Sequence, residues 1–129
     1  MGRRQATLVE QPTHVIIDAV VHHTGDSPLL RKFVELVAKK VGLNIVERDD
    51  GSKVIDSLPF YKTEGTFGDG CSCLALLIES NIAVHTRDAE RIVNLDVFSC
   101  RNFSWTEIIK LMDKFFGIEK VTRIDILQR

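Results

Sequence analysis

The chain has 129 residues, 44% hydrophobic and 27% charged, with a formal net charge of −1. That size suits one domain around one core, and so small a net charge gives no global field to recruit nucleic acid or an anionic membrane. No apolar run approaches the ~20 residues of a membrane span, no secretory signal is read at the start, and three cysteines, an odd number, do not make a disulfide framework, so a reducing, cytoplasmic compartment is the expectation.

Residues 1–13 are polar and read as a flexible tail, followed by a single domain over 14–129. "HVIIDAVVH" (His14–His22) is rich in β-branched residues and predicts a buried strand. Ser27 then offers an N-cap, with Pro28 at the first helical position, where its missing N–H costs nothing. Leu30, Phe33, Val34, Val37, Ala38 and Val41 recur at helical spacing, and Gly42 is placed to end the helix in a left-handed cap.

"LNIVERDDGSKVIDSL" predicts two short strands around an Asp-Asp-Gly turn. The glycine-rich "PFYKTEGTFGDG" reads as a loop. Within it "GTFGDG" (Gly65–Gly70) lacks the lysine and serine of a phosphate-binding loop and precedes no helix. "CSCLALLIES", "NIAVHT" and "IVNLDVFSC" are strand-like, with "RDAER" as a polar connector before the last. "SWTEIIKLMDKFFG" predicts a second helix capped by Ser104, with Glu107 completing a capping box and Gly117 ending it. Its apolar stripe is Trp105, Ile108, Ile109, Met112, Phe115 and Phe116. "KVTRIDILQ" alternates as a final strand. The order β-α-β-β-β-β-α-β implies an α+β fold: a two-layer α/β sandwich with two helices on one face of a mainly antiparallel sheet. Strands 14–22 and 72–78 are apolar on both faces, so the sheet's second face needs cover from a partner protomer or a long loop.

The chemistry-bearing residues gather in "LIESNIAVHT" (Leu77–Thr86). Glu79-Ser80 can be a turn, since serine and asparagine favour turns. It can also be a self-cleaving bond. A serine hydroxyl held against the preceding carbonyl can shift the chain from amide to ester, and elimination then leaves dehydroalanine, which hydrolyses to a pyruvoyl group. Such a ketone forms a Schiff base with a substrate amine and serves as an electron sink. His85 on a strand is structural by default; an imidazole nevertheless suits the proton abstraction that elimination needs. Ser72, between Cys71 and Cys73, has tight strand packing as its ordinary reading. C-x-C with a distant Cys100 and no C-x-x-C pair is a poor zinc pattern, so no metal is expected. Cys100 can be a buried, inert thiol or a proton donor.

Together these residues resemble the small prokaryotic form of S-adenosylmethionine decarboxylase, a pyruvoyl enzyme of polyamine synthesis. The family pattern is roughly G-V-S-G, an apolar run, S-E-S-H, two residues, I-H-T-W-P-E, then V-D-x-F-T-C. Here it reads "GCSCLALLIESNIAVHTRDAERIVNLDVFSC", in register without a gap from Gly70 to Cys100. The resemblance implies a cut between Glu79 and Ser80, with Ser80 becoming the covalent pyruvoyl cofactor. It implies that Ser72 and His85 assist processing and that Cys100 is the proton donor after carbon dioxide leaves. It also implies a homodimer with shared active sites. On one extended strand Ser72 and Ser80 would stand ~26 Å apart, so either the chain folds back or a second copy supplies Ser72 and His85. The pattern is left at Asn81, at Cys73, and above all at "RDAERI" (Arg87–Ile92), which stands in place of W-P-E-Y-G-Y with Ala89 at the glutamate position. S-adenosylmethionine is the expected substrate; the same chemistry on ornithine or arginine, or a non-catalytic homologue, are the alternatives.

Overall fold

Alternation and helical spacing together dictate a sheet with one buried face and two helices to bury it. The structure, a computed structural model describing residues 13–61 and 68–128, has that form. The elements are β1 (Thr13–Val21), α1 (Ser27–Val41), β2 (Ile55–Phe60), β3 (Gly70–Leu77), β4 (Ser80–Arg87), β5 (Ile92–Ser99), α2 (Trp105–Phe116) and β6 (Ile118–Gln128). The six strands form one sheet in the order β2-β3-β4-β5-β1-β6, every neighbouring pair antiparallel. β2 to β5 run as a meander. β1, first in the chain, lies between β5 and β6.

Every second residue turns to the helices. Val15, Ile17, Ala19 and Val21 of β1, Cys71, Cys73, Ala75 and Leu77 of β3, Ile82 and Val84 of β4, and Val93, Leu95 and Val97 of β5 are all buried. Against them α1 packs the whole stripe read from its spacing, Leu30, Phe33, Val34, Val37, Ala38 and Val41. Phe33 joins the two helices, its ring centroid 5.0 Å from Phe116 and 5.4 Å from Phe115. Each such fully buried large side chain contributes roughly 1.5–3 kcal/mol.

Several local expectations are corrected. The cap of α1 is Asp26, one residue earlier than Ser27: Asp26 Oδ1 accepts from the Leu29 N–H at 3.1 Å. Ser27 is already helical, and its hydroxyl meets that of Ser57. Gly42 takes the left-handed conformation foreseen for it, φ 77. At α2, Ser104 holds the cap position but its hydroxyl bonds Thr106 (2.7 Å) instead of capping. Glu107 reaches Lys110 at 3.0 Å and forms no capping box. Trp105 stays partly exposed, and Leu111 is buried in its stead.

Of the two short strands read around Asp-Asp-Gly, the first reduces to isolated bridges, Ile45–Leu77 and Glu47–Lys53, and the second is β2, which begins at Ile55. β2 extends through Pro59 and Phe60, so the loop starts later than read. Residues 62–67, with the first part of "GTFGDG", lie outside the described residues, as does all of the expected tail except Thr13, which opens β1. Gly70 opens β3 so close to its neighbour that an added Cβ would stand 2.0 Å from the Thr86 carbonyl oxygen.

The sheet face away from the helices is uncovered by any described residue. On it Leu58, Leu74 and Leu76 are half or more exposed. The doubly apolar character read for strand 72–78 therefore leaves an open apolar patch. No helix among the described residues is long and apolar enough to cross a membrane.

Candidate active site

The run "CSCLALLIES" is not one strand. β3 ends at Leu77, Ile78 and Glu79 turn, and Ser80 begins β4 opposite Leu77. A two-residue connection between antiparallel strands needs a residue with positive φ, and glycine is the residue that takes it without strain. Here Glu79 does so at φ 63. The chain thus folds back at the bond singled out for cleavage.

Ser80 turns toward the helices, in phase with Ile82 and Val84, and is 4% exposed. Its Oγ accepts from the backbone N–H of Cys100 at 2.9 Å, just past the end of β5. Cys100 itself is half-buried. These two of the four candidate residues are brought together.

The other two form a separate pair. Ser72 on β3 and His85 on β4 are direct cross-strand neighbours, and Ser72 Oγ lies 2.8 Å from His85 Nδ1. They belong to the open face, because Ser80 and His85 are five positions apart on a strand whose side chains alternate. That separation is roughly 16 Å along β4. Folding back at Glu79 therefore does not bring Ser72 to Ser80 within this chain.

Beyond His85 the same level of the open face continues with Asn94 on β5 and Asp18 on β1, each directly opposite the last. Asn94 Nδ2 donates to Asp18 Oδ1 at 2.8 Å. Neither residue stands out in the sequence, since only strand pairing aligns positions 18, 72, 85 and 94.

At the far end of β4, Arg87 shares the face of His85 and pairs with Glu90 at 3.4 Å. Asp88 in the turn accepts from Thr24 Oγ1 at 2.7 Å. Cys71 and Cys73 are buried among the helices' contacts, and burial pushes the Cys73 thiol up to about 11. Among the described residues no group of histidine, cysteine and acidic side chains is arranged as metal ligands.

The sequence model of one family, described as S-adenosylmethionine decarboxylase, matches residues 13–129. Among curated proteins none matches the chain. The matched region runs from the first residue of β1 through the whole sheet and both helices.

Proposed function

As the chain belongs to the S-adenosylmethionine decarboxylase family, we propose that it is a self-processing pyruvoyl-dependent decarboxylase acting on S-adenosylmethionine. The turn at Glu79 carries the reading. A non-glycine residue at φ 63 bears about 1–2 kcal/mol of steric cost, and strain of this kind collects at functional sites. The next residue is a serine whose Oγ the Cys100 amide already holds.

In the precursor, Ser80 Oγ attacks the Glu79 carbonyl carbon. The peptide nitrogen leaves carrying a proton, and the amide becomes an ester. Loss of the Ser80 α-proton to a base then expels the Glu79 carboxylate from the β-carbon. The resulting dehydroalanine tautomerises and takes up water, releasing ammonia and leaving a ketone at the start of residues 80–129. His85 is the base in this reading and Ser72 its hydrogen-bond partner. The pyruvoyl group supplies an electrophilic ketone that takes up the substrate amine and the electrons freed as carbon dioxide leaves. Cys100 holds the proton that returns to the substrate's α-carbon.

Ser80, held by the Cys100 amide, turns to the helix side of the sheet, and Ser72 with His85 lies on the open side. A complete site therefore combines the first pair with the second pair of another copy, in a homodimer whose exposed Leu58, Leu74 and Leu76 are covered. Mass spectrometry under denaturing conditions should find two chains, 1–79 and 80–129, and one uncut chain for Ser80→Ala. A single intact chain in the wild type defeats the proposal.

The Arg87–Glu90 pair favours a second reading. It occupies the segment where relatives carry an aromatic and a carboxylate, with Ala89 at the carboxylate position. Glu90, held by Arg87, is a group that the cation of a basic amino acid could take over. Carbon dioxide release measured side by side on S-adenosylmethionine, ornithine and arginine separates the two substrates.

A further inference from the structure

The open face is mixed in character, but one level of it is polar from strand to strand: Ser72, His85, Asn94 and Asp18, on β3, β4, β5 and β1. The next level holds Leu74, Ala83, Asp96 and Ile16. An amide has one donor end and one acceptor end. Asn94 commits its NH2 to Asp18 at 2.8 Å, so it has a carbonyl oxygen to offer β4, where His85 is directly opposite.

We propose that Asn94 and Asp18 are positioning residues for His85. Asp18 fixes the orientation of the Asn94 amide, and the Asn94 carbonyl oxygen favours the imidazole tautomer carrying its proton on Nε2. That tautomer keeps the Nδ1 lone pair toward the Ser72 hydroxyl, 2.8 Å away. This inference rests on the proposed role of His85 as a base, but its central claim concerns the ring alone.

Other charged groups face the same region. Arg87 on β4 is paired with Glu90, Asp96 on β5 with His14 of β1 at 2.7 Å, and Arg123 on β6 with Asp125 at 2.6 Å. Asp18 instead bonds the amide that stands next to His85.

The test uses the uncleavable full chain, Ser80→Ala, with ring nitrogens followed by NMR and His85 assigned through His85→Gln. The Nε2–H tautomer is expected to predominate, and Asn94→Ala to convert it to a mixture. Asp18→Asn is expected to loosen the same preference, and Asp18→Glu to keep the Nε2–H form. In the cleavable chain Asn94→Ala and Asp18→Asn should each slow the cut several-fold. Asn94→Ser serves where Asn94→Ala does not fold. An unchanged tautomer in both variants overturns the inference, as does a slowed cut with the Nε2–H form still predominant. A wild type that never cuts, with the ring shifts present, sinks the proposed function and leaves the positioning intact.

Discussion

The backbone N–H of Cys100 donates to Ser80 Oγ at 2.9 Å, tying the start of β4 to the residue that follows β5. A backbone donor holds its position through the strand pairing beside it and does not depend on a side-chain rotamer. The serine hydroxyl is thereby fixed beside a turn whose preceding residue has positive φ.

Relief of that turn should be measurable. In the uncleavable Ser80→Ala chain, Glu79→Gly is expected to raise stability by up to about 1 kcal/mol, the steric gain being partly offset by glycine's entropy. Calorimetry would register a melting rise of a few degrees. In the cleavable chain the same substitution is expected to slow processing, followed as the fraction of intact chain over time. An unchanged melting point removes strain from the account.

Shared sites predict complementation. Ser80→Ala chains keep Ser72 and His85, while His85→Ala chains keep Ser80 and Cys100. Each alone should stay uncut. Co-expressed, the His85→Ala chains should be cut in mixed dimers, visible as residues 80–129 by mass. Sites completed within one chain give no cutting in the mixture.

The thiols should differ in reactivity. Cys73 is fully buried, and desolvation raises its thiol from the ordinary 9.0 to about 11, against the opposing pull of Arg31. A thiolate is the reactive form, so an alkylating reagent at pH 8 should label the half-buried Cys100 well before Cys73. The linkage has a definite sign. The folded state keeps its proton where the unfolded chain loses it, so this contribution is fully present below pH 9 and is lost between pH 9 and about 11. Denaturant titrations across that window should show the midpoint falling, and less so in Cys73→Ala.

Gly70→Ala should be severe. The added Cβ would meet the Thr86 carbonyl oxygen at 2.0 Å and the Phe60 ring at 2.6 Å. Backbone cannot yield as a flexible side chain can, so a loss of about 3 kcal/mol is expected. Urea unfolding of the Ser80→Ala chain with and without the substitution reads it directly.

The helical stripe of α1 was legible because one face of a 3.6-residue period points inward whatever the surroundings. The sandwich followed from element order. A turn near Glu79-Ser80 was legible from its serine and asparagine, but its exact place at Ile78–Glu79 was not: "LALLIESNIAV" offers no glycine or proline, and the turn is made by a glutamate in a conformation its type disfavours. Asp26 outcompeted Ser27 as a cap because Pro28 fits the second helical position as well as the first. The family pattern marked Ser72, Ser80, His85 and Cys100. That Ser80 meets the Cys100 amide while Ser72 meets His85 on the opposite face depends on strand register, which a pattern in one dimension does not contain. Asn94 and Asp18 were missed for the same reason, being neighbours of His85 only across the sheet.

The place of β1 in the sheet has a consequence for a cut at Glu79–Ser80. Residues up to 79 contribute β1, β2 and β3, and residues from 80 contribute β4, β5 and β6. The order β2-β3-β4-β5-β1-β6 then interleaves the two pieces. β3 lies along β4 by eight residue pairs, and β1 is wedged between β5 and β6 of the other piece. Neither piece could leave without unzipping three ladders at once. The severed molecule would be a single fold made of two interlocked chains, and a new chain start could appear in its interior without the body coming apart.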